Sequence, residues 1–190
     1  MVLECKYCTE QMSQGFRRVA DAGSKRSRII LLGEAPGATE DAEDMPFVGR
    51  CGTLLTDILS DIGVQRRTLY ITNICRCRPS LNNRTPRLTE ARECRDNCFN
   101  ETLRGLFPDV IICLGALPWK AMCDNGQVSL QRDRRKVVYH KGIPVVCTYH
   151  PAYILRNPVA YDWVAADLES YLLDKSYYRV PLDISYEVVD

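Results

Sequence analysis

Four short apolar runs, spaced along the chain and each ending at a glycine, an asparagine or a histidine-bearing turn, limit the possible folds most. Residues 28–32 stop at Gly33, 69–74 carry Asn73, 110–114 close on Gly115, and 144–148 lead to His150. Runs of this length that are apolar throughout suit strands buried on both faces. Helix-type segments alternate with them. Residues 49–62 place Leu54, Leu55, Ile58, Leu59 and Ile62 on one face and end at Gly63. Residues 89–107 start at Thr89, a candidate N-cap, ahead of Glu90 and Glu93; 116–123 and the amphipathic 162–173 are further helices, and 137–139 a further strand. This order predicts an α/β fold, a central mainly parallel β-sheet flanked by helices on both faces. Ligands of such sheets sit at the carboxyl ends of the strands. Gly33-Glu34, Asn73 and His150 all follow strand ends and are expected to converge there.

A chain of 190 residues with 46% hydrophobic and 26% charged residues has the composition of one folded, globular domain. Residues 1–175 are expected to form it, with 176–190 as a C-terminal extension, either an added extended segment or the start of a further domain. No apolar run reaches the length of a membrane span, and the N-terminus lacks a basic stretch followed by an apolar one. A cytoplasmic or viral intracellular location without membrane contact is therefore expected, and a monomer. The net charge of +1 does not announce a nucleic-acid binder, so any such contact must come from local clusters. Two are visible: Arg76, Arg78, Arg84 and Arg87 in one loop, and Arg132, Arg134, Arg135 and Lys136 in another. Taken alone, such runs are more often solvated surface.

Ten cysteines in a chain without a secretory signal point to metal binding or buried thiols instead of disulfides. Cys5-x-x-Cys8 places two thiolates on one turn. Cys77 and Cys94 are well placed to complete a set of four, with Cys75 and Cys98 as rivals at neighbouring positions. Four thiolates suit zinc or an Fe4S4 cluster. Cys51, Cys113, Cys123 and Cys147 read as buried thiols.

The loop after the first strand, from Gly33 to Asp41, combines two glycines and a proline with Glu34, Glu40 and Asp41. Its backbone can approach a ligand closely. Its carboxylates suit activation of a water or stabilisation of a cation, and argue against a phosphate cradle. Phe47 offers an aromatic ring near the same place, and His150 follows a strand directly, whereas His140 carries no such signal.

Together these stretches resemble the iron–sulfur, family 4 branch of the uracil-DNA glycosylases. The matching residues are Gly33-Glu34-Ala35-Pro36-Gly37 with Glu40-Asp41, Pro46-Phe47-Val48-Gly49 with Gly52, Leu54 and Leu55, and Thr72-Asn73 with Cys77-Arg78-Pro79. The Asn83-Arg84-Thr85-Pro86 loop and the stretch from Thr148 to Pro158 complete the set, in an order covering residues 5–170. The resemblance implies a three-layer sandwich and an Fe4S4 cluster on Cys5, Cys8, Cys77 and Cys94. It implies catalytic roles for Glu34, Glu40 and His150, and a base pocket of Ala35, Gly37, Phe47 and Asn73. Arg84, Leu155 and Arg156 are the implied contacts to DNA, single or double stranded and containing uracil. The implied reaction is monofunctional excision of uracil, leaving an abasic site. No lysine occurs in the glycine loop or beside His150, so no lyase step is expected.

The pattern also has departures. Asp44 stands where the family has glycine, and a carboxylate at the pocket mouth would alter which base is admitted. Ser80 replaces a second proline. No basic, histidine-bearing insertion follows Asn73, as the covalently acting branch would require. The rival readings are a glycosylase for another damaged pyrimidine, a non-catalytic iron–sulfur DNA-binding module, and a zinc-stabilised protein with a small-molecule substrate.

Overall fold

The computed structural model describes residues 18–79, 82, 84–123, 128–174 and 176. Cys5, Cys8, Ser80, Asn83 and nearly all of the 176–190 extension lie outside the described residues.

A two-residue strand β1 (Ala22–Gly23) precedes β2 (Ile29–Gly33), which is followed by helices α1 (Ala38–Glu43) and α2 (Arg50–Asp61). Strand β3 (Tyr70–Asn73) leads to α3 (Leu88–Cys94), a π-helical segment (Arg95–Phe99) and α4 (Asn100–Arg104). Then come β4 (Val110–Leu114), α5 (Ala116–Met122), α6 (Leu130–Asp133), β5 (Val138–His140) and β6 (Ile143–Thr148). Helices α7 (Pro151–Ile154) and α8 (Ala160–Leu173) follow. The strands form one sheet in the order β1-β3-β2-β4-β6-β5. β2, β3, β4 and β6 are mutually parallel, and the two edge strands are antiparallel.

The alternation of side chains along the strands splits the core into two layers. Ile30, Leu32, Ile111 and Cys113 pack with Phe99, Leu103 and Trp119 on one face. Leu31, Ile71, Ile112 and Val146 pack with Leu55, Ile58, Val164 and Leu168 on the other. Each fully buried aliphatic side chain contributes about 1.5–3 kcal/mol relative to exposure. The helix leaving β2 lies on one face and the helix leaving β4 on the opposite face. Diverging connections of this kind open a crevice at the carboxyl ends of the strands.

The expected strands and the helix over 49–62 are present, and several boundaries differ. The expected helix over 89–107 begins at Leu88, because the Glu90 carboxylate accepts the Arg87 N–H (2.6 Å) and caps the helix without help from the Thr89 hydroxyl. It stops at Gly105, leaving Phe107 80% exposed. The acidic glycine loop contains a helix, α1, and the basic run of residues 132–136 begins within another, α6.

Among the described residues no helix is long and apolar enough to cross a membrane.

Candidate active site

At the carboxyl ends of β2, β3 and β6 lies an open cavity of about 430 Å³. Glu34, Ala35, Gly37, Phe47, Asn73 and His150 line it, so the pocket residues expected from the sequence come together. Glu40 and Arg84 also reach its wall, as do Arg50 and Cys51 from the first turn of α2. Arg50 was not anticipated: it is a single arginine, and only clusters of charge stood out in the sequence.

Two glycines make room for the aromatic floor. Phe47 adopts φ +55°, a left-handed conformation that a bulky side chain rarely takes. A Cβ on Gly52 would lie 1.8 Å from the Phe47 carbonyl oxygen, and one on Gly33 would lie 2.5 Å from the ring and 2.3 Å from Asn73 Oδ1. The phenyl ring is buried and sits 5.7 Å from the His150 ring, centroid to centroid. Asn73 is buried at the end of β3, and its side chain makes no hydrogen bond to another described residue. Among the described residues its amide is therefore unspent, leaving a donor and an acceptor on a side chain that lines the cavity.

The two candidate acids differ sharply in surroundings. Both oxygens of Glu40 are occupied by backbone amides: Oε2 accepts from Gly37 (3.1 Å), and Oε1 from Val48 (3.2 Å) and Gly49 (2.9 Å). That carboxylate ties the glycine loop to the turn carrying Phe47. Among the described residues Glu34 has no such ties, and burial pushes its carboxyl above the ordinary range.

His150 caps α7, and its Nδ1 accepts the Ala152 N–H (3.1 Å). A nitrogen that accepts carries no proton, so in the neutral ring the proton resides on Nε2. Desolvation, with repulsion from Arg156, lowers its pKa to about 4 against the opposing pull of Glu40. The imidazole is thus a neutral donor at physiological pH.

The outer residues are arranged differently from expectation. The Arg84 guanidinium is held bidentately by Glu90 (2.8 and 2.7 Å), whose own pKa is lowered to about 2 chiefly by that pair. Arg76, grouped above with surface cations, is buried and paired with Asp21, and donates to Thr102 Oγ1 (2.7 Å). Asp44 does not face the pocket. It takes the left-handed position ending α1 (φ 52°), where glycine is usual and aspartate is tolerated, and its Oδ1 accepts the Ala20 N–H (3.0 Å). The expected influence of Asp44 on base choice through the pocket mouth is therefore corrected: its carboxylate fastens the chain ahead of β1. Leu155 and Arg156 lie exposed just past α7.

Cys77 and Cys94 both lie close to Arg76. Cys77 bridges to Arg18, so the chain emerging from the N-terminal segment runs directly beside it. The backbone N–H of Arg76 points to Cys94 Sγ, which also lies within hydrogen-bonding reach of the buried Cys75 and Cys98 thiols. Of the four cysteines read as buried thiols, Cys113 and Cys147 are fully buried in the core, whereas Cys123 is half-buried and Cys51 is half-buried at the cavity wall.

Fold and site define an α/β protein with a pocket at the strand ends walled by an aromatic ring, a carboxamide, an imidazole and a desolvated carboxylate. A family model described as the uracil DNA glycosylase superfamily matches residues 20–171. A type-4 uracil-DNA glycosylase of Thermotoga maritima is 37% identical over 157 residues, covering 82% of this chain and 80% of that protein. Those of Archaeoglobus fulgidus and Pyrobaculum aerophilum are 35% and 36% identical, covering 83% and 80% of this chain and 81% and 82% of their own lengths. The chain belongs to the uracil DNA glycosylase superfamily, in its type-4 branch.

Proposed function

We propose that this protein excises uracil from DNA by hydrolysing the bond between the base and its deoxyribose, leaving an abasic site and an uncut strand. One observation carries this reading: an unspent buried carboxamide, a buried aromatic ring and a neutral imidazole donor surround a single cavity. Extruding a nucleotide costs a few kcal/mol of stacking and pairing, part of which the Phe47 ring returns by stacking on the base. Asn73 meets O4 and N3–H of uracil together, one as donor and one as acceptor. The N1–C1′ bond then breaks with its electron pair leaving on uracil, and the His150 Nε2–H stabilises the charge gathering on O2. Ionised Glu34 faces the positive charge developing on the sugar and orients the water that adds to C1′. Glu40 is a positioning residue in this scheme, holding the loop that brings the Ala35 and Gly37 backbone to the base. A panel of oligonucleotides carrying different bases, scored for abasic sites, tests it. Untouched uracil in both single and double strands, with action on another base, would overturn the assignment.

The pH profile follows from the two titrating groups. Glu34 must be ionised and binds its proton unusually tightly, so the single-turnover rate should fall on the acid side through a pKa above 4.5. His150 stays neutral above about 4 and should add no inflection near 6.5. Glu34→Gln should abolish the acid limb along with most of the rate. The same substitution should raise the melting temperature at neutral pH. The native state holds this proton more tightly than the unfolded chain, so stability is lost as pH rises through the native pKa. An acid limb unchanged in Glu34→Gln would contradict the assignment.

An Fe4S4 cluster on Cys5, Cys8, Cys77 and Cys94 is part of the proposal. Two of these ligands lie outside the described residues, and no group of three or more metal-binding side chains assembles among the described ones. The surroundings of the described pair suit the cluster: an amide N–H aimed at Cys94 Sγ, and the N-terminal segment entering beside Cys77. When bound, it would cross-link that segment to the turn before α3, with its chemistry confined to holding DNA-facing structure. Anaerobically purified protein should contain about four iron and four sulfide per chain, and Cys77→Ala or Cys94→Ala should lose both. Stoichiometric zinc without iron, or loss of iron on Cys75→Ala or Cys98→Ala alone, would refute this ligand set.

A further inference from the structure

One arginine outside the pocket spends its charge on the turn that carries the aromatic floor. Arg66 opens a short helical turn (Arg66–Thr68) that leads into β3. Its guanidinium donates from Nη2 to the Pro46 carbonyl (2.9 Å). From Nη1 it donates to Thr56 Oγ1 (3.2 Å) and, at longer range, to the Gly52 carbonyl (3.4 Å). No carboxylate pairs with it among the described residues, and burial alone lowers its pKa. A half-buried cation held only by neutral acceptors gives up hydration that an ion pair would offset. Stability alone does not account for such a placement.

The backbone of Phe47 does. At φ +55° it occupies a region that costs a bulky residue free energy unless its surroundings impose it. Because peptide groups are planar, φ and ψ are the only soft angles at that residue, and pinning the planes on both sides sets them. Both are pinned by charged side chains. Arg66 holds the Pro46 carbonyl on the upstream side, and Glu40 Oε1 accepts the Val48 N–H (3.2 Å) on the downstream side. The Phe47 carbonyl is itself pressed over Gly52, whose oxygen Arg66 also reaches. We propose that Arg66 is a positioning residue for base excision, holding Phe47 in its left-handed conformation so that the ring forms the surface on which the base stacks. The inference rests on the glycosylase reading for the task of the ring, and on the hydrogen bonds alone for its placement.

Two measurements test it. The chain has four phenylalanines, so full-length protein labelled with para-fluorophenylalanine gives a small set of fluorine NMR signals. The Phe47 signal is the one that Phe47→Leu removes. Arg66→Met should move that signal and leave the other three in place. In single-turnover assays on uracil-containing DNA, Arg66→Met should slow excision by about tenfold to a hundredfold, the scale on which a small misplacement of a reacting group is felt. Added to Phe47→Ala, the same change should cost no more than about twofold, because the ring it positions is gone. Arg66→Lys keeps the charge without the planar fork and should fall between wild type and Arg66→Met; it carries both measurements if Arg66→Met fails to fold. An unmoved Phe47 signal, a shift of all four signals together, or equal losses with and without Phe47 would overturn the assignment. The spectra need no turnover, so a wild type that leaves uracil in place would sink the glycosylase reading separately.

Discussion

Replacing Asn73 with aspartate should lower uracil excision by about a thousandfold or more, the scale on which a site built for one hydrogen-bond pattern rejects a mismatch. The side chain is nearly inaccessible at the end of β3, opposite Gly33 in the parallel register. Its Oδ1 would lie 2.3 Å from a Cβ on that glycine, so the amide occupies space that only a glycine leaves open. Aspartate keeps the shape and loses the N–H. Where the amide would donate to the O4 of uracil, a carboxylate sets charge against a lone pair. Single-turnover assays with excess enzyme measure the loss directly. A variant within about tenfold of wild type would show that the base is not read at this position.

His150→Ala should slow the chemical step by about a hundredfold or more, the usual cost of removing one preorganised donor, with DNA affinity nearly kept. The donor is preorganised by a single bond: the Ala152 N–H occupies Nδ1 and leaves the proton on Nε2. Protonating the ring would place a desolvated cation near Arg156, and burial first and Arg156 second lower its pKa to about 4. Rapid-quench kinetics together with anisotropy separate rate from affinity. A large loss of affinity with an unchanged single-turnover rate would assign His150 to binding.

The strands were legible because burial on both faces demands continuous apolar sequence, and β2 and β4 carry it without interruption. The convergence of Glu34, Asn73 and His150 followed from the rule that strand ends collect ligands. What stayed hidden was set by contacts between distant residues. Nothing in the spelling of Glu40 distinguishes a carboxylate holding three amides from one facing a substrate; the difference arises when Val48 and Gly49 fold back onto it. Arg84 reads as a surface cation until Glu90, six residues on, binds both its terminal nitrogens. Asp44 reads as a charge at the pocket mouth because its left-handed backbone is invisible in sequence, and that backbone turns it toward Ala20. The edge strand β1 has two residues, too few for any periodicity.

The π-helical segment between α3 and α4 separates two tasks assigned to one stretch of helix. Upstream, Glu90 pairs with Arg84 and Cys94 lies against the Arg76 amide, while Ala91 packs in the core. At the end of the segment and beyond it, Phe99 and Leu103 pack in the same core. An unbroken α-helix advances about 100° per residue and locks these positions into one angular relation. The widened turn at Arg95–Phe99 resets that relation in the middle. The front half can thus present Glu90 to Arg84 and Cys94 to the Arg76 amide while Ala91 stays seated on the layer that holds the rear half. A straight helix would have to give up one of these contacts, and the extra residue in the turn is what lets the chain keep both.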